Sequence, residues 1–345
     1  MTTLADVARQ AGVSPATVSR IVSGSSKAVS DELRERVLKV VEELQYVPNA
    51  HAQLLARSDR TTVGVIVHDV SDPYFAEITR GLQRVASERG RLVIICNSYR
   101  DPERELAYVE LLRAQQAEAI ILAGSGYLDP AFTKTLTAQL AAFTATGGRV
   151  TVVGRHELVG DAVLPANEEG GHLIASAVFD AGHRHVGVLA SPAGLTTTAD
   201  RLAGFRRAAK ERRRTIPTRR IHYASFDRDG GAAATVALLD ADPQLTALIA
   251  MNDTMATGAL AVLRERGISV PGDISVVGFD DMPIARDLTP SLTTVRLPLV
   301  DIGARAITLA LEDPHRTPRR EMAPVELVMR ESLGPPPTTR APKKV

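Results

Sequence analysis

Cysteine is nearly missing from this chain: Cys96 stands alone among 345 residues, so no disulfide can form within it. It lies in the apolar run Leu92–Cys96 and reads as a small buried hydrophobe, not a nucleophile. No apolar stretch reaches the roughly 18 residues that a membrane span needs. The amino end lacks the charged-then-apolar order of a secretory signal, so a cytoplasmic protein is expected. A charge excess is missing too, with 41 Lys and Arg against 40 Asp and Glu. Catalytic signatures are absent: no P-loop, no Gly-x-Ser-x-Gly, no spaced Cys/His metal set and no convincing triad. An enzyme, a bound cofactor and a metal site are therefore not expected, and His183 and His185 read as structural.

The length exceeds one typical core, so two or three domains are expected. Hydrophobic residues at 44% and charged residues at 23% are ordinary for soluble globular protein. The carboxyl end, from Gly334 through three prolines to Val345, offers nothing apolar to bury and reads as a disordered tail over 333–345.

The amino end is dense in helix signals. Thr3 can cap a helix, with Asp6 three residues on in the capping-box place. Leu4, Val7, Ala8 and Ala11 share one face. Gly12 ends that helix as a left-handed residue. Ser14 is a good cap for a second helix, and Pro15 suits its first position. Val18 and Ile21 turn inward, leaving Pro15, Ala16, Thr17, Ser19 and Arg20 on or near the outer face. A third helix after Ser30 buries Leu33, Val37, Val40 and Leu44. Helix, glycine turn and helix form a unit that can enter the DNA major groove. Charge gives little support, since residues 1–60 hold eight Lys/Arg and seven Asp/Glu. After Tyr46, Pro48 stops the third helix, and Asn49 can cap a short one through Ala56.

From residue 62, apolar runs alternate with helical stretches. Strands are expected at Thr62–His68, 91–97, 119–123, 149–154, 185–190, 220–224, 246–250 and 274–278. Helices fall between them. Such alternation gives parallel sheets with helices on both faces, and two rounds of it give two Rossmann-like lobes with a cleft between. Residues 292–297 cross back, and the helix near 299–312 and a last strand at Val325–Met329 complete the first lobe. Ligands bind at the carboxyl ends of such strands.

The string Ala11-Gly12-Val13-Ser14, followed by Thr17-Val18-Ser19-Arg20, resembles the signature of the LacI/GalR family of bacterial transcription regulators. The resemblance spans roughly residues 2–332. Its later blocks are Asp72–Ile78, Gly182–Gly187, Asp200–Phe205, Met251–Asp253, Asp273–Asp281 and Pro290–Val295. It implies a helix-turn-helix head over 1–47, a hinge over 48–60 and a periplasmic-binding-protein-like α/β body over 61–332. The first lobe would hold about 61–160 and 293–332, the second about 161–292. It also implies a homodimer on double-stranded operator DNA, with no membrane partner.

By carry-over, the DNA-binding set is Thr3, Ser14, Pro15, Ala16, Thr17, Ser19, Arg20, Ser30, Tyr46, Asn49, Ala52 and Leu55. Arg20 would read base edges, and Leu55 would wedge into a minor-groove step of the operator. A small-molecule effector of the sugar, nucleoside or purine class would meet Tyr74, Phe75, Thr197, Arg201, Phe226, Asp253 and Asp280. Asp253 could instead cap the helix at 254–266. One departure stands out: Pro165-Ala166 replaces the usual Asp-Asn pair, which counts against an ordinary hexose. The expected function is a transcription regulator, most simply a repressor. The alternative is a ligand receptor of the periplasmic sugar-binding type with no DNA role.

Overall fold

Each helix of the head is fixed by groups within a few residues of its ends. The computed structural model describes residues 2–22, 29–46, 60–158, 160–313, 315 and 317–338, and divides into two compact units, Met1–Arg60 and Thr61–Val345. In α1 (Leu4–Ala11) the Thr3 hydroxyl accepts from the Asp6 amide at 3.3 Å, and the Asp6 carboxylate accepts from the Thr3 amide at 2.9 Å. This is the expected capping box, built with Asp instead of Glu. Gly12 closes α1 at φ +68°, which an L side chain adopts only with strain. Ser14 accepts from the Thr17 amide at 3.2 Å and opens α2 (Pro15–Val22). Ser30 accepts from the Leu33 amide at 3.4 Å at the start of α3 (Asp31–Glu43). Val7, Ala8, Ala11, Val18, Ile21, Val37 and Val40 are buried where the three helices meet. The expected hinge residues Asn49, Ala52 and Leu55 lie outside the described residues.

The body carries two parallel sheets. Its first round runs β1 (Thr62–Val67), α4 (Pro73–Glu88), β2 (Leu92–Asn97), α5 (Pro102–Ala114), β3 (Ala119–Ala123), α6 (Pro130–Ala145), β4 (Arg149–Val153) and β5 (Asp161–Pro165). The second runs α7 (Asn167–Asp180), β6 (Val186–Ala190), α8 (Thr196–Glu211), β7 (Ile221–Tyr223), α9 (Arg228–Ala241), β8 (Ala247–Ala250), α10 (Asp253–Glu265) and β9 (Ser275–Val277). The chain then returns through β10 (Thr294–Arg296), α11 (Leu299–Leu311), β11 (Arg320–Ala323) and β12 (Glu326–Val328). The first sheet has the order β11-β5-β4-β3-β1-β2, and the second β7-β6-β8-β9. Buried on both faces, the inner strands β3, β6 and β8 read as nearly continuous runs of Val, Ile, Leu and Ala, as parallel strands do.

Three boundaries differ from expectation. Asp161–Pro165, assigned to the second lobe, pairs in parallel with β4 and belongs to the first sheet. No helix separates it from β4, so alternation alone did not reveal it. The strand that closes the first sheet is β11, paired with β5, and not Val325–Met329. Pro324 has no amide to donate and ends that ladder, after which β12 pairs antiparallel with β10. The tail also starts later than expected. Leu333 packs against the body core, and Gly334 bonds the second lobe through Ser275 Oγ and His183. Residues 339–345 of the expected tail lie outside the described residues.

Close helix contacts fix the second lobe. A side chain at Gly171 would press the Arg201 carbonyl at 2.6 Å, so α7 and α8 meet backbone to backbone. That contact sets the height of Arg201 at the lobe boundary.

Candidate functional site

Two groups of side chains stand out, one in each unit. In the head, Ser14, Pro15, Ala16 and Arg20 are exposed along α2, with Thr17 and Ser19 half-buried. Arg20 Nε donates to the Ala16 carbonyl at 3.2 Å, which lays the guanidinium along the outer face of the helix. Thr3, Ser14 and Ser30 serve as helix caps. Tyr46 packs partly against the head core, so its ring has a structural duty as well.

In the body, a cleft lies at the carboxyl ends of the strands. It encloses about 340 Å³, its open mouth included. Tyr74, Phe75, Thr197, Arg201, Phe226 and Asp280, six of the seven expected effector residues, line it together. They span more than 200 positions of sequence, and only the return of the chain between lobes brings them to one place.

Arg201 and Asp280 form the floor. Arg201 is 2% exposed and donates to Asp280 Oδ1 and Asn167 Oδ1, each at 2.9 Å, and to the Met251 carbonyl. Its guanidinium lies 3.6 Å from the Phe279 ring centroid. Burial pushes the Asp280 carboxyl up to about 7, although the Arg201 charge pulls the other way. Asp280 also holds φ +105°, a costly conformation for a residue with a side chain. Its amide donates to the Val295 carbonyl at 2.7 Å, which keeps it there. Neighbouring Asp281 instead accepts from Arg296 at 2.7 Å and Arg330 at 2.5 Å and ties β10 to the chain end.

Asp253 does not line the cleft. It is fully buried at the start of α10, with Oδ1 accepting from Thr294 at 2.6 Å and Oδ2 from the Met282 amide at 2.7 Å. Burial holds its carboxyl well above the ordinary range. Both oxygens serve the fold, and it is Asn252, the cap of α10, that faces the cleft. Pro165 and Ala166 are absent from the lining, and Asn167 reaches it only by holding Arg201.

Sequence reading missed His68, Asp72, Arg100, Ser125 and Asn252, which also line the cleft. Asp72 was legible as the first residue of the Asp-Pro-Tyr-Phe block, since it caps α4 by accepting from the Tyr74 amide at 3.0 Å. Arg100 carried no local signal. It follows Tyr99, and both adopt positive φ, 53° and 58°. That turn aims the guanidinium across the cleft to 5.4 Å from the Phe226 centroid, with Asp72 3.9 Å away. The two histidines read as structural are bonded within the fold: His183 to Thr246 and Gly334, and His185 to Arg220.

A groove-reading helical unit and a two-lobed cleft on one chain define a DNA-binding protein with a built-in ligand receptor. Residues 3–49 match bacterial regulatory proteins of the lacI family, and residues 175–333 match the periplasmic binding protein-like domain. The chain is 38% identical over 312 residues to the HTH-type transcriptional regulator GalS of Salmonella typhimurium, covering 90% of each. It is 34% identical to GalR of Escherichia coli, covering 97% of each. Among solved structures, the lac repressor dimer bound to operator and the anti-inducer ONPF gives a TM-score of 0.81 at 27% identity, covering 96% of this chain and 98% of that one. The CelR–cellobiose complex gives 0.69 at 30% identity, covering 96% and 100%. The chain belongs to the lacI family of bacterial regulatory proteins and is a DNA-binding transcription regulator.

Proposed function

We propose that the chain is a homodimeric repressor in the cytoplasm, released from or fixed on a pseudo-palindromic operator by a neutral sugar in the cleft. The carrying observation is the convergence of six expected effector residues on one cleft with the Arg201–Asp280 pair at its base. Aromatic faces at Tyr74, Phe75 and Phe226 suit a sugar ring, and carboxylates at Asp72 and Asp280 suit its hydroxyls. Asp72, from the first lobe, offers the acceptor that Pro165-Ala166 lacks. A relative solved with cellobiose supports the sugar class.

On the DNA side, the exposed α2 face with Arg20 supports base reading, and the two-fold of a dimer would match a palindrome. The expected hinge roles of Asn49, Ala52 and Leu55 belong to the same proposal. Among the described residues, strand β2 pairs only with β1, and it exposes Leu92 at 64% and Ile94 at 36%. An apolar open edge of that kind calls for cover, and a second copy supplies it. Among the described residues no helix is long and apolar enough to cross a membrane.

The test is binding of the full chain to DNA upstream of its own gene, with and without D-galactose, D-glucose and D-ribose. A specific complex that responds to one sugar is expected. A chain that binds no DNA more tightly than random duplex, at any sugar concentration, sinks the reading. Sedimentation of an Ile94→Asp variant checks the dimer: a shift to monomer is expected.

A further inference from the structure

The first-lobe wall of the cleft holds two buried polar atoms without partners, His68 Nε2 and Arg100 Nε. Their polarity can be assigned. Ser98, fully buried, donates its hydroxyl hydrogen to the Val67 carbonyl at 3.2 Å. With the hydroxyl so placed its oxygen accepts, and the contact at 3.4 Å from His68 Nδ1 assigns the imidazole hydrogen to Nδ1. Nε2 is left as a bare acceptor. Burial, and after it the Arg100 charge, push the His68 imidazole down to about 3, so it stays neutral. The Ser125 backbone lies beside the ring and favours its charged form, but no group meets hydrogen-bond geometry at Nε2.

Packing keeps the acceptor in place. The ring stands edge-on to Phe75 at 5.6 Å and to Tyr127 at 6.1 Å. Gly124, at φ +130°, lies against it, and an added Cβ there would sit 2.9 Å from Nε2. Arg100 Nε is the matching orphan donor, on a side chain whose nearest carboxylate, Asp72, is 3.9 Å away. Orphaned buried groups are rare and call for a partner. A carboxylate could answer the arginine but, ionised, has no hydrogen for His68. An ammonium could answer His68 but has no lone pair for the arginine. A hydroxyl serves both.

We infer that His68 and Arg100 form a hydroxyl-selecting subsite: one sugar hydroxyl donates to His68 Nε2 and accepts from Arg100 Nε–H. This rests on the sugar reading above and sharpens it. Both atoms are sealed from solvent in this structure, so the arginine must swing from the Phe226 ring to admit the group. A site built for a hydroxyl rejects the analogue that lacks it far more strongly than an apolar wall rejects a size change.

The test uses the full chain and titration calorimetry with D-galactose, D-glucose and D-ribose, their monodeoxy analogues, gluconate and glucose 6-phosphate. For the sugar that binds, one monodeoxy analogue is expected to bind at least ~10-fold more weakly, as are the acidic compounds. His68→Phe, which keeps a ring and removes the acceptor, should weaken the sugar by about the same factor and leave that one analogue unaffected. His68→Gln, which keeps an acceptor, should stay within ~3-fold of the parent. Equal binding of the sugar and all its deoxy analogues by the parent overturns the subsite, because the wall is then satisfied without the ligand. That arm needs no variant, so a misfolded His68→Phe cannot obscure it. Should the parent bind none of the compounds, the sugar reading falls and the subsite falls with it.

Discussion

The head and the body build their working surfaces by opposite means. In the head, Arg20 stands on a helix set by Ser14, Pro15 and Gly12, all within eight residues of it. Its side chain is outside, and the small core beneath only holds the helix up. In the body, Arg201 is inside, and its partners Asn167, Met251 and Asp280 lie 34 to 79 positions away. Local chemistry can therefore place an exposed arginine, whereas a buried cleft floor needs the whole fold in place first.

That contrast can be broken most directly at Arg201. Arg201→Ala strands a buried Asp280 and should lower the stability of the body by ~3–5 kcal/mol, the scale for removing one partner of a buried pair. Hydrogen exchange read separately on peptides from each unit should show faster exchange throughout 186–296 and no change in 4–22. Equal protection in Arg201→Ala and the parent would show that the pair is not structural.

Asp280 in the body and Asp6 in the head give pH responses of opposite sign. With its folded carboxyl at about 7, Asp280 contributes stability that is complete below ~4 and is lost as pH rises through 7. Asp6 in the head is held below its usual value by the Thr3 hydroxyl and amide, so its contribution is present above ~4 and lost on acidification. Melting of the body between pH 4 and 8 should therefore flatten in Asp280→Asn, and head exchange should not follow it.

Arg20→Ala is the converse test. It should remove ~1–3 kcal/mol of operator affinity and blur sequence preference, while leaving body melting unchanged. Anisotropy titrations at one fixed salt on specific and scrambled duplexes check it. Unchanged discrimination would move base reading away from α2. Smallest is Thr3→Ala, which removes the capping box and should lower head stability by ~1 kcal/mol, visible as faster exchange at Asp6 and Val7 alone.

The class of fold was legible because parallel strands buried on both faces leave unmistakable apolar runs, and because caps and turns are local. What escaped were elements without a local mark. β5 follows β4 with no helix between, and the Pro324 break that separates β11 from β12 reads as one strand if skipped. In the cleft, Tyr74, Phe75, Thr197, Arg201, Phe226 and Asp280 came from recognisable blocks. His68 and Arg100 did not: one sits at the end of an apolar strand, the other in a turn whose positive φ no residue there advertises.

By itself, then, the sequence determined the helices of the head, the alternation of the body and the outer face that carries Arg20, since each depends on neighbours within one or two turns. Tertiary structure alone decided that Asp253 serves the fold while Asn252 faces the cleft, and that His68 at a strand end and Arg100 in a turn line the same cleft. Those outcomes depend on which lone pairs and hydrogens the packed interior leaves unused, and that is settled only when distant segments have met.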